Sequence, residues 1–425
     1  LLEAKLKTNN PIYIGDSAVD ELLKYVEANG LNQFTLVSDA NTYAALGRQV
    51  EAALQGKAYN LTTIVLDGEE VIAGGDYLLQ VLANAPVADH TFIAVGSGTI
   101  TDITRFISYR TKNTFISMPT ATSVDGFTSI GAPLVLDGVK QTLISQAPLA
   151  VFADLPTLQN APKRLIASGF GDMVGKYTSL ADWQLGRMLW DEPYDEDIAK
   201  RARTGLDTCI NYANEIGKAD ADGIRYLMDG LVESGLCMLE FGSSRPASGA
   251  EHHCSHYWEM MLLNEGRPAL LHGQKVGFAT TLIIGQYNKL RSLSRQDVMD
   301  RLEAATLPDR AEEEAIIREA YGDAAEQVIR DQSAFLDMTP EKFDATKRKI
   351  AEHWDDILAI AESLPSVEEV TAALDKVGGP TTAEELGVTD DEVQRALRYG
   401  HFLRNRFTVM KLSRILDISL LPHEV

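Results

Sequence analysis

An α/β domain on a largely parallel sheet, followed by an all-helical domain, is the fold class this 425-residue sequence predicts. Three observations predict it. Short β-rich runs alternate with amphipathic stretches over the first ~160 residues. From Pro162 onward long helical patterns take over, and β-branched runs almost disappear. The chain is also long enough for two domains of ordinary size, each with its own core. The domains are therefore placed at 1–163 and 164–425.

The elements follow in order. FTLVSD (34–39), TTIVLD (62–67), TFIAVGSG (91–98) and TFISMPT (114–120) are the strand candidates. Between the first three lie amphipathic segments such as NTYAALGRQVEAALQG, and this βαβα pattern implies parallel strands covered by helices. APLVLDG (132–138) and LAVFADLP (149–156) read as extra strands or a hairpin. In the second part, loops at DEPYDE, GSSRPASG and NEGRPA separate the helices.

Composition narrows the function. Hydrophobic residues make up 45% and charged residues 24%, a globular balance. The net charge of −22 repels nucleic acid and anionic membranes, which excludes both as expected partners. No apolar run approaches the ~20 residues of a membrane span. The opening LLEAKLKTNNPIYIG has no basic n-region or apolar h-region, so no secretory leader is expected. Cys209, Cys237 and Cys254 are odd in number, widely spaced and without C-x-x-C, which fits a reducing cytoplasm.

Two loops at strand ends carry the first candidate chemistry. In VGSGTITD (95–102), Gly96 and Gly98 allow close backbone approach, and the helix that follows offers its first N–H groups to a phosphate. The third glycine of the common dinucleotide fingerprint is missing, and the best ribose-binding acid, Asp39, lies upstream at another strand end. Asp39 reads equally as a turn or cap aspartate. The second loop, SMPTATSVDGFTS (117–129), is rich in hydroxyls. Thr120, Thr122 and Ser123 are donors for a phosphate or ribose, and Asp125 is an acceptor for a substrate hydroxyl.

A histidine cluster carries the second. In GAEHHCSHYWE (249–259), Ser248 and Glu251 form S-x-x-E, the pattern of a capping box, so a helix should begin just before the histidines. His252 and His256 then share one helix face, while His253 and Cys254 point elsewhere. His272 follows a Gly/Pro loop in LLHGQKVG. Asp172 in SGFGDMVGKY stands behind two glycines at an expected helix start. One carboxylate with two imidazoles suits a divalent ion such as Zn²⁺, Fe²⁺ or Ni²⁺ and leaves positions open for substrate oxygens.

Taken in order, the glycine loop, PTATS-x-D, GFGD-x-x-GK, SRPASGAEH-x-x-SH and HG-x-x-VG resemble the glycerol-1-phosphate dehydrogenase family. That family lies within the superfamily of iron-containing alcohol dehydrogenases, glycerol dehydrogenases and dehydroquinate synthases. The resemblance runs from about residue 10 past 290 and returns in RNRFTV (404–409). It implies a dinucleotide-binding α/β domain, an all-α domain of the dehydroquinate synthase type, and an NAD(P)-linked oxidoreductase of phospholipid metabolism. It further implies that Asp172, His252 and His272 are the ligands of one divalent metal, zinc, nickel or iron. His256, Asp125 and a further oxygen of Asp172 would face the substrate. Gly96, Ser97, Gly98, Thr99 and Ile100 with Thr120, Ala121, Thr122 and Ser123 would contact the cofactor, and Ser129 would lie near the nicotinamide. The loop departs from many relatives in having GSGT where they carry three consecutive glycines.

The implied reaction interconverts dihydroxyacetone phosphate and sn-glycerol 1-phosphate, in a cytoplasmic homo-oligomer. Lys176, Arg245, Arg267 and Lys275 are candidates for the positive charge a phosphate needs. Asp39 would favour NAD by pairing with the ribose 2′-hydroxyl, although a nearby phosphate site would admit NADP. The alternatives are a glycerol dehydrogenase acting on an unphosphorylated polyol and a dehydroquinate-synthase-like cyclase.

Overall fold

The computed structural model describes residues 10–68, 71–136 and 139–421. The first nine residues, on which the leader reading partly rests, and Asp137 and Gly138 at the end of the 132–138 run lie outside the described residues. The chain divides into two compact units. One comprises the chain up to Met173 with Asp207–Ser243 and Lys376–Gly378; the other comprises Val174–Leu206, Ser244–Asp375 and the chain from Gly379 onward.

The first unit is α/β. Its strands are β1 (Ile12–Gly15), β2 (Gln33–Asp39), β3 (Asn60–Leu66), β4 (Thr91–Val95), β5 (Thr114–Met118), β6 (Gly131–Leu136), β7 (Val139–Ile144) and β8 (Val151–Asp154). Six of them form a parallel sheet in the order β1-β8-β5-β4-β2-β3, and β6 pairs with β7 as an antiparallel hairpin. The 149–156 run therefore supplies a sheet strand, Val151–Asp154, and residues 132–136 lie in one arm of the hairpin. Strand β1, from IYIG, had no sequence signal beyond two apolar residues either side of a tyrosine.

Helices α1 (Ala18–Ala28), α2 (Ala40–Thr42), α3 (Arg48–Gly56), α4 (Gly75–Asn84), α5 (Gly98–Arg110), α6 (Leu155–Gln159) and α7 (Lys163–Val174) accompany the strands. Alternation along the strands decides which helix covers which face. Ile93 and Val95 of β4 pack with Leu22 of α1 and Val50 and Leu54 of α3, while Phe92 and Ala94 pack with Val81 of α4 and Ile103 and Ile107 of α5. Both faces of β4 are thus covered, as its unbroken apolar run requires.

The chain leaves β2 toward β3 and leaves β4 in the opposite direction toward β5, so a topological switch point falls between β2 and β4. In open α/β sheets the crevice at the strand C-termini beside such a point is where ligands bind. Asp39 ends β2, and the glycine loop follows β4.

The second unit is helical throughout its described residues. Along the chain come α8 (Lys176–Trp190), α9 (Glu196–Asn211), α10 (Ala213–Gly217), α11 (Ala221–Phe241), α12 (Ala250–Asn264) and α13 (His272–Arg291), with shorter helices after them. Of these, α10, α11 and the end of α9 from Asp207 onward belong to the first unit. The second unit's core gathers Cys254, Tyr257 and Trp258 of α12, Ile283 and Tyr287 of α13, and Trp354, Val409 and Leu412 from further along. Among the described residues no helix is long and apolar enough to cross a membrane.

Candidate active site

In the first unit the two strand-end loops lie side by side. The Gly96 N–H donates to Met118 O at 3.2 Å, and Thr120 N–H donates back to Gly96 O at 3.3 Å. A Cβ on Gly96 would fall 2.5 Å from Ile100 Cβ, and one on Gly98 would fall 3.0 Å from Val124 Cγ2. Gly96 is closed to a side chain, and Gly98 takes one only if the Val124 side chain gives way. Ser97 is the N-cap of α5 and makes no side-chain cap bond, so the first-turn N–H groups of Gly98, Thr99 and Ile100 face outward for an anion. Asp39 caps α2: its Oδ1 accepts from Thr42 N at 2.8 Å. A carboxylate has acceptor capacity beyond that one bond.

Loop 120–129 is held from below by a residue that sequence reading did not select. Arg105, on α5 and fully buried, donates to Gly126 O at 2.6 Å, Phe127 O at 3.0 Å, Gly131 O at 2.8 Å and Asp102 Oδ1 at 2.8 Å. Thr120, Ala121, Thr122, Ser123, Asp125 and Ser129 are all buried in this loop, and Ser129 Oγ donates to Gly126 O at 3.2 Å.

The position of Asp172 corrects one expectation. It lies in the last turn of α7, not at a helix start, because α7 begins at Lys163 and runs through both glycines. Gly169 is there for contact rather than to break the helix: a Cβ would sit 1.8 Å from Thr122 O. Ser168 Oγ donates to Ser123 O at 3.0 Å, and Asp125 N–H donates to Asp172 Oδ2 at 3.0 Å. The same face of α7 therefore grips loop 122–125 at three successive points. Helix α11 closes the other side, where Ser234 Oγ donates to Asp125 Oδ2 at 2.8 Å and a Cβ on Gly235 would meet Thr128 Oγ1 at 2.1 Å.

In the second unit three imidazoles converge. Ring centroids are 5.2 Å apart for His252 and His272, 5.4 Å for His256 and His272, and 6.1 Å for His252 and His256. His256, Glu259 and His272 each offer a ligand atom, all within 4.8 Å of one another. Lys275, one turn along α13 from His272, is buried with its Nζ 3.2 Å from Glu259 Oε2.

Behind the cluster stand two buried carboxylates. Glu251 accepts from His252 Nδ1 and Gly249 N at 2.7 Å and from Thr178 Oγ1 at 2.6 Å. Burial alone would push its carboxyl up, but the His252 hydrogen bond and charge, with those donors, bring it below the usual range. An ionised acceptor requires the Nδ1–H tautomer of His252, in which Nε2 is the lone-pair atom, the arrangement that orients metal-binding histidines. Asp182 accepts from Ala250 N at 2.8 Å, Val409 N at 2.8 Å and Tyr287 OH at 2.7 Å, so it ties α8, α12, α13 and the helix Val409–Ile415 together.

These bonds overturn the capping box. The cap of α12 is Gly249, not Ser248, and it makes no side-chain cap bond. The Ser248 carbonyl accepts from Arg406 at 2.5 Å, which turns Ser248 away, and Asp182 meets the Ala250 N–H instead. Arg406, from RNRFTV, also donates to Ser244 Oγ at 2.8 Å, so that motif fastens the loop before the histidines. His253 and Cys254 point into the core. Neither ring nitrogen of His253 makes a hydrogen bond among the described residues, and burial with nearby Arg406, Arg404 and Lys411 keeps it well below its usual range. Burial likewise pushes the Cys254 thiol up.

Comparison with known proteins agrees with this architecture. Residues 13–162 match the sequence model of the iron-containing alcohol dehydrogenases. The chain is 39% identical over 404 residues to the glycerol-1-phosphate dehydrogenase (NAD(P)+) of Geobacillus thermodenitrificans, covering 94% of this chain and 91% of that one. It is 32% identical to the protein of that name from Staphylothermus marinus, covering 94% and 90%. Among solved structures, glycerol dehydrogenase from Schizosaccharomyces pombe superposes with a TM-score of 0.61 at 17% identity, covering 96% of this chain and 88% of that one. Sulfoacetaldehyde reductase from Bifidobacterium kashiwanohense, solved with NAD+, gives 0.59 at 12%, covering 96% and 95%. These two share the fold. The extent and identity of the sequence matches show that this chain belongs to the glycerol-1-phosphate dehydrogenase family of the iron-containing alcohol dehydrogenases.

Proposed function

We propose that this protein is a metal-dependent, NAD(P)-linked oxidoreductase that interconverts dihydroxyacetone phosphate and sn-glycerol 1-phosphate. The observation that carries the reading is near-full-length similarity, at 39% identity, to a glycerol-1-phosphate dehydrogenase. The functional division we propose is an α/β nucleotide domain over 1–163 and a metal and substrate domain over 164–425, in a cytoplasmic homo-oligomer.

Asp172, His252 and His272 are the proposed ligands of one divalent ion, zinc, nickel or iron. Two imidazoles and a carboxylate fit such an ion, and the Glu251 hydrogen bond to His252 supplies the second-sphere support these ligands need. When bound, the ion supplies Lewis-acid polarisation of the C2 oxygen and the nicotinamide supplies or takes the hydride. The protein's own residues do the rest. His256 holds a proton beside the substrate oxygen and passes it on. Asp125, steadied by Ser234, accepts from a substrate hydroxyl. Gly96, Ser97, Gly98, Thr99 and Ile100 receive the pyrophosphate, with Thr120, Ala121, Thr122 and Ser123 alongside and Ser129 near the nicotinamide. Asp39 accepts from the ribose, which favours NAD.

For the substrate phosphate, Lys275 is the best placed of the four basic candidates. Arg267 is committed to Glu392 and Gly387 O, and Arg245 donates to Glu192 at 2.9 Å. Lys176 is directed at Ala247 O, 3.4 Å away. Lys275 alone of the four shares the helix and the neighbourhood of His272.

The test is NADH consumption with dihydroxyacetone phosphate in metal-replete buffer. A phosphate handle can fix C2 in place, so kcat/KM should exceed that for dihydroxyacetone by at least ~100-fold, roughly 3 kcal/mol. Comparable rates would move the assignment to a glycerol dehydrogenase. Turnover of a sugar-acid phosphate without net NADH consumption would move it to a cyclase.

A further inference from the structure

A cavity of about 110 Å³ lies within the second unit, lined by none of the residues given a role above. Its buried polar lining comes from Lys411, 6% exposed, from Gln332 and His401, each 1% exposed, and from Glu313, 9% exposed. Thr306, Pro308 and Arg310 are its exposed edge, and Phe335 and Phe402 its apolar wall.

The buried lining is rich in donors and poor in anions. Lys411 Nζ donates to Gln332 Oε1 at 2.9 Å and lies 3.3 Å from the Phe335 ring centroid. Among the described residues none of the ion pairs includes Lys411. Glu313, the one carboxylate lining the cavity, is held by Arg414 through bonds of 2.9 and 2.6 Å. Gln332 Nε2 and His401 Nδ1 are buried without a hydrogen bond. Native proteins rarely leave such groups unmet unless an ion, water or ligand meets them. Burial first, and then the Arg414 charge, pull the Lys411 ammonium well below its usual range, against the opposing pull of Glu313 and Glu192.

The cavity also stands apart from the histidine cluster. A Cβ on Gly400, next to His401, would lie 3.4 Å from the backbone of His253 and Cys254, so this turn backs α12 at the two core-facing positions. We propose that the cavity is a binding site for a small tetrahedral oxyanion of the size of inorganic phosphate, held by Lys411, His401, Gln332 and Arg414. An ammonium, a guanidinium, an amide NH₂ and an imidazole N–H are the donor set such an anion takes.

Thermal unfolding of the full-length, metal-loaded protein against inorganic phosphate tests this. Saturating phosphate should raise the parent Tm by roughly 5 °C. Lys411→Met, which keeps the volume and removes the charge, should unfold cooperatively but lose that rise. No rise in the parent overturns the site, and an equal rise in Lys411→Met overturns it by placing phosphate elsewhere. Should Lys411→Met not fold, parent crystals soaked in selenate decide the matter. An anomalous selenium peak in the cavity supports the site, and an empty cavity overturns it.

Discussion

The strand-end loops of the first unit and the histidine cluster of the second are made of different material. The loops present backbone: N–H groups after β4, a carbonyl-rich turn, and glycines with little or no room for a Cβ. The cluster presents side chains from two helices. Each is held in place by buried charge of the opposite kind. Arg105 satisfies carbonyls under the loop, whereas Glu251 and Asp182 satisfy N–H groups and a histidine under the cluster. A backbone site needs donors beneath it and an imidazole site needs acceptors, because each support must pair with what the site leaves buried.

The largest expected effect tests the cluster. His252→Ala, His272→Ala or Asp172→Ala should abolish both bound metal and activity, since the proposed three-ligand set leaves no spare. His253→Ala and Cys254→Ala should retain both. Metal content by atomic emission, alongside NADH turnover, checks this, and loss of metal in His253→Ala with retention in His252→Ala would reverse the face assignment.

Gly98→Val tests the loop in the same way. It drives a side chain toward Val124 and the space proposed for the pyrophosphate, so NADH binding should weaken by several kcal/mol with metal content unchanged. Equal NADH affinity in a fluorescence titration would remove the glycine loop from the site.

A smaller effect separates support from ligand. Glu251→Gln keeps the shape but removes the charge that orients His252, so metal affinity should fall 10–100-fold rather than vanish. Chelator competition measures it, and an unchanged affinity would reduce Glu251 to a packing residue.

The smallest effect is a pH slope. Burial first, then the Glu251 charge, pushes the Asp182 carboxyl up to about 7 against the pull of its three donors. A carboxyl raised on folding keeps its proton between about pH 4 and 7, where the unfolded chain has already released it. Stability from this group is therefore lost as pH rises through that window, by about 4 kcal/mol at most. Asp182→Asn has no such titration and turns its NH₂ donor toward either the Ala250 N–H or the Val409 N–H and Tyr287 O–H. It should be less stable than the parent, with a deficit in urea unfolding that narrows from pH 4.5 to 7.5. A deficit that stays constant over that range would show Asp182 ionised throughout.

Much of this was legible because chemistry and periodicity are local. The β-rich runs gave β2 to β5, since parallel strands covered on both faces read as near-continuous apolar and β-branched runs. Glycines in V-G-S-G and three histidines at helical spacing name their residue types directly. Asp172 was found by its motif but misplaced in its element, because glycine in a helix and glycine at a helix start look alike until the partner, Thr122 O, is known.

By itself, then, the sequence determined the two-part fold, the parallel sheet and the residue types that carry the chemistry. Only the tertiary structure decided which neighbour each buried polar group meets. Ser248 and Glu251 spell a capping box, yet Arg406, 158 residues from Ser248, takes the Ser248 carbonyl, and Asp182, 68 residues from Ala250, takes the first N–H of the helix. Arg105 looks like a surface arginine until four acceptors surround it. A local pattern states what a residue can bond, and burial forces the bond to be made. The fold alone chooses the partner.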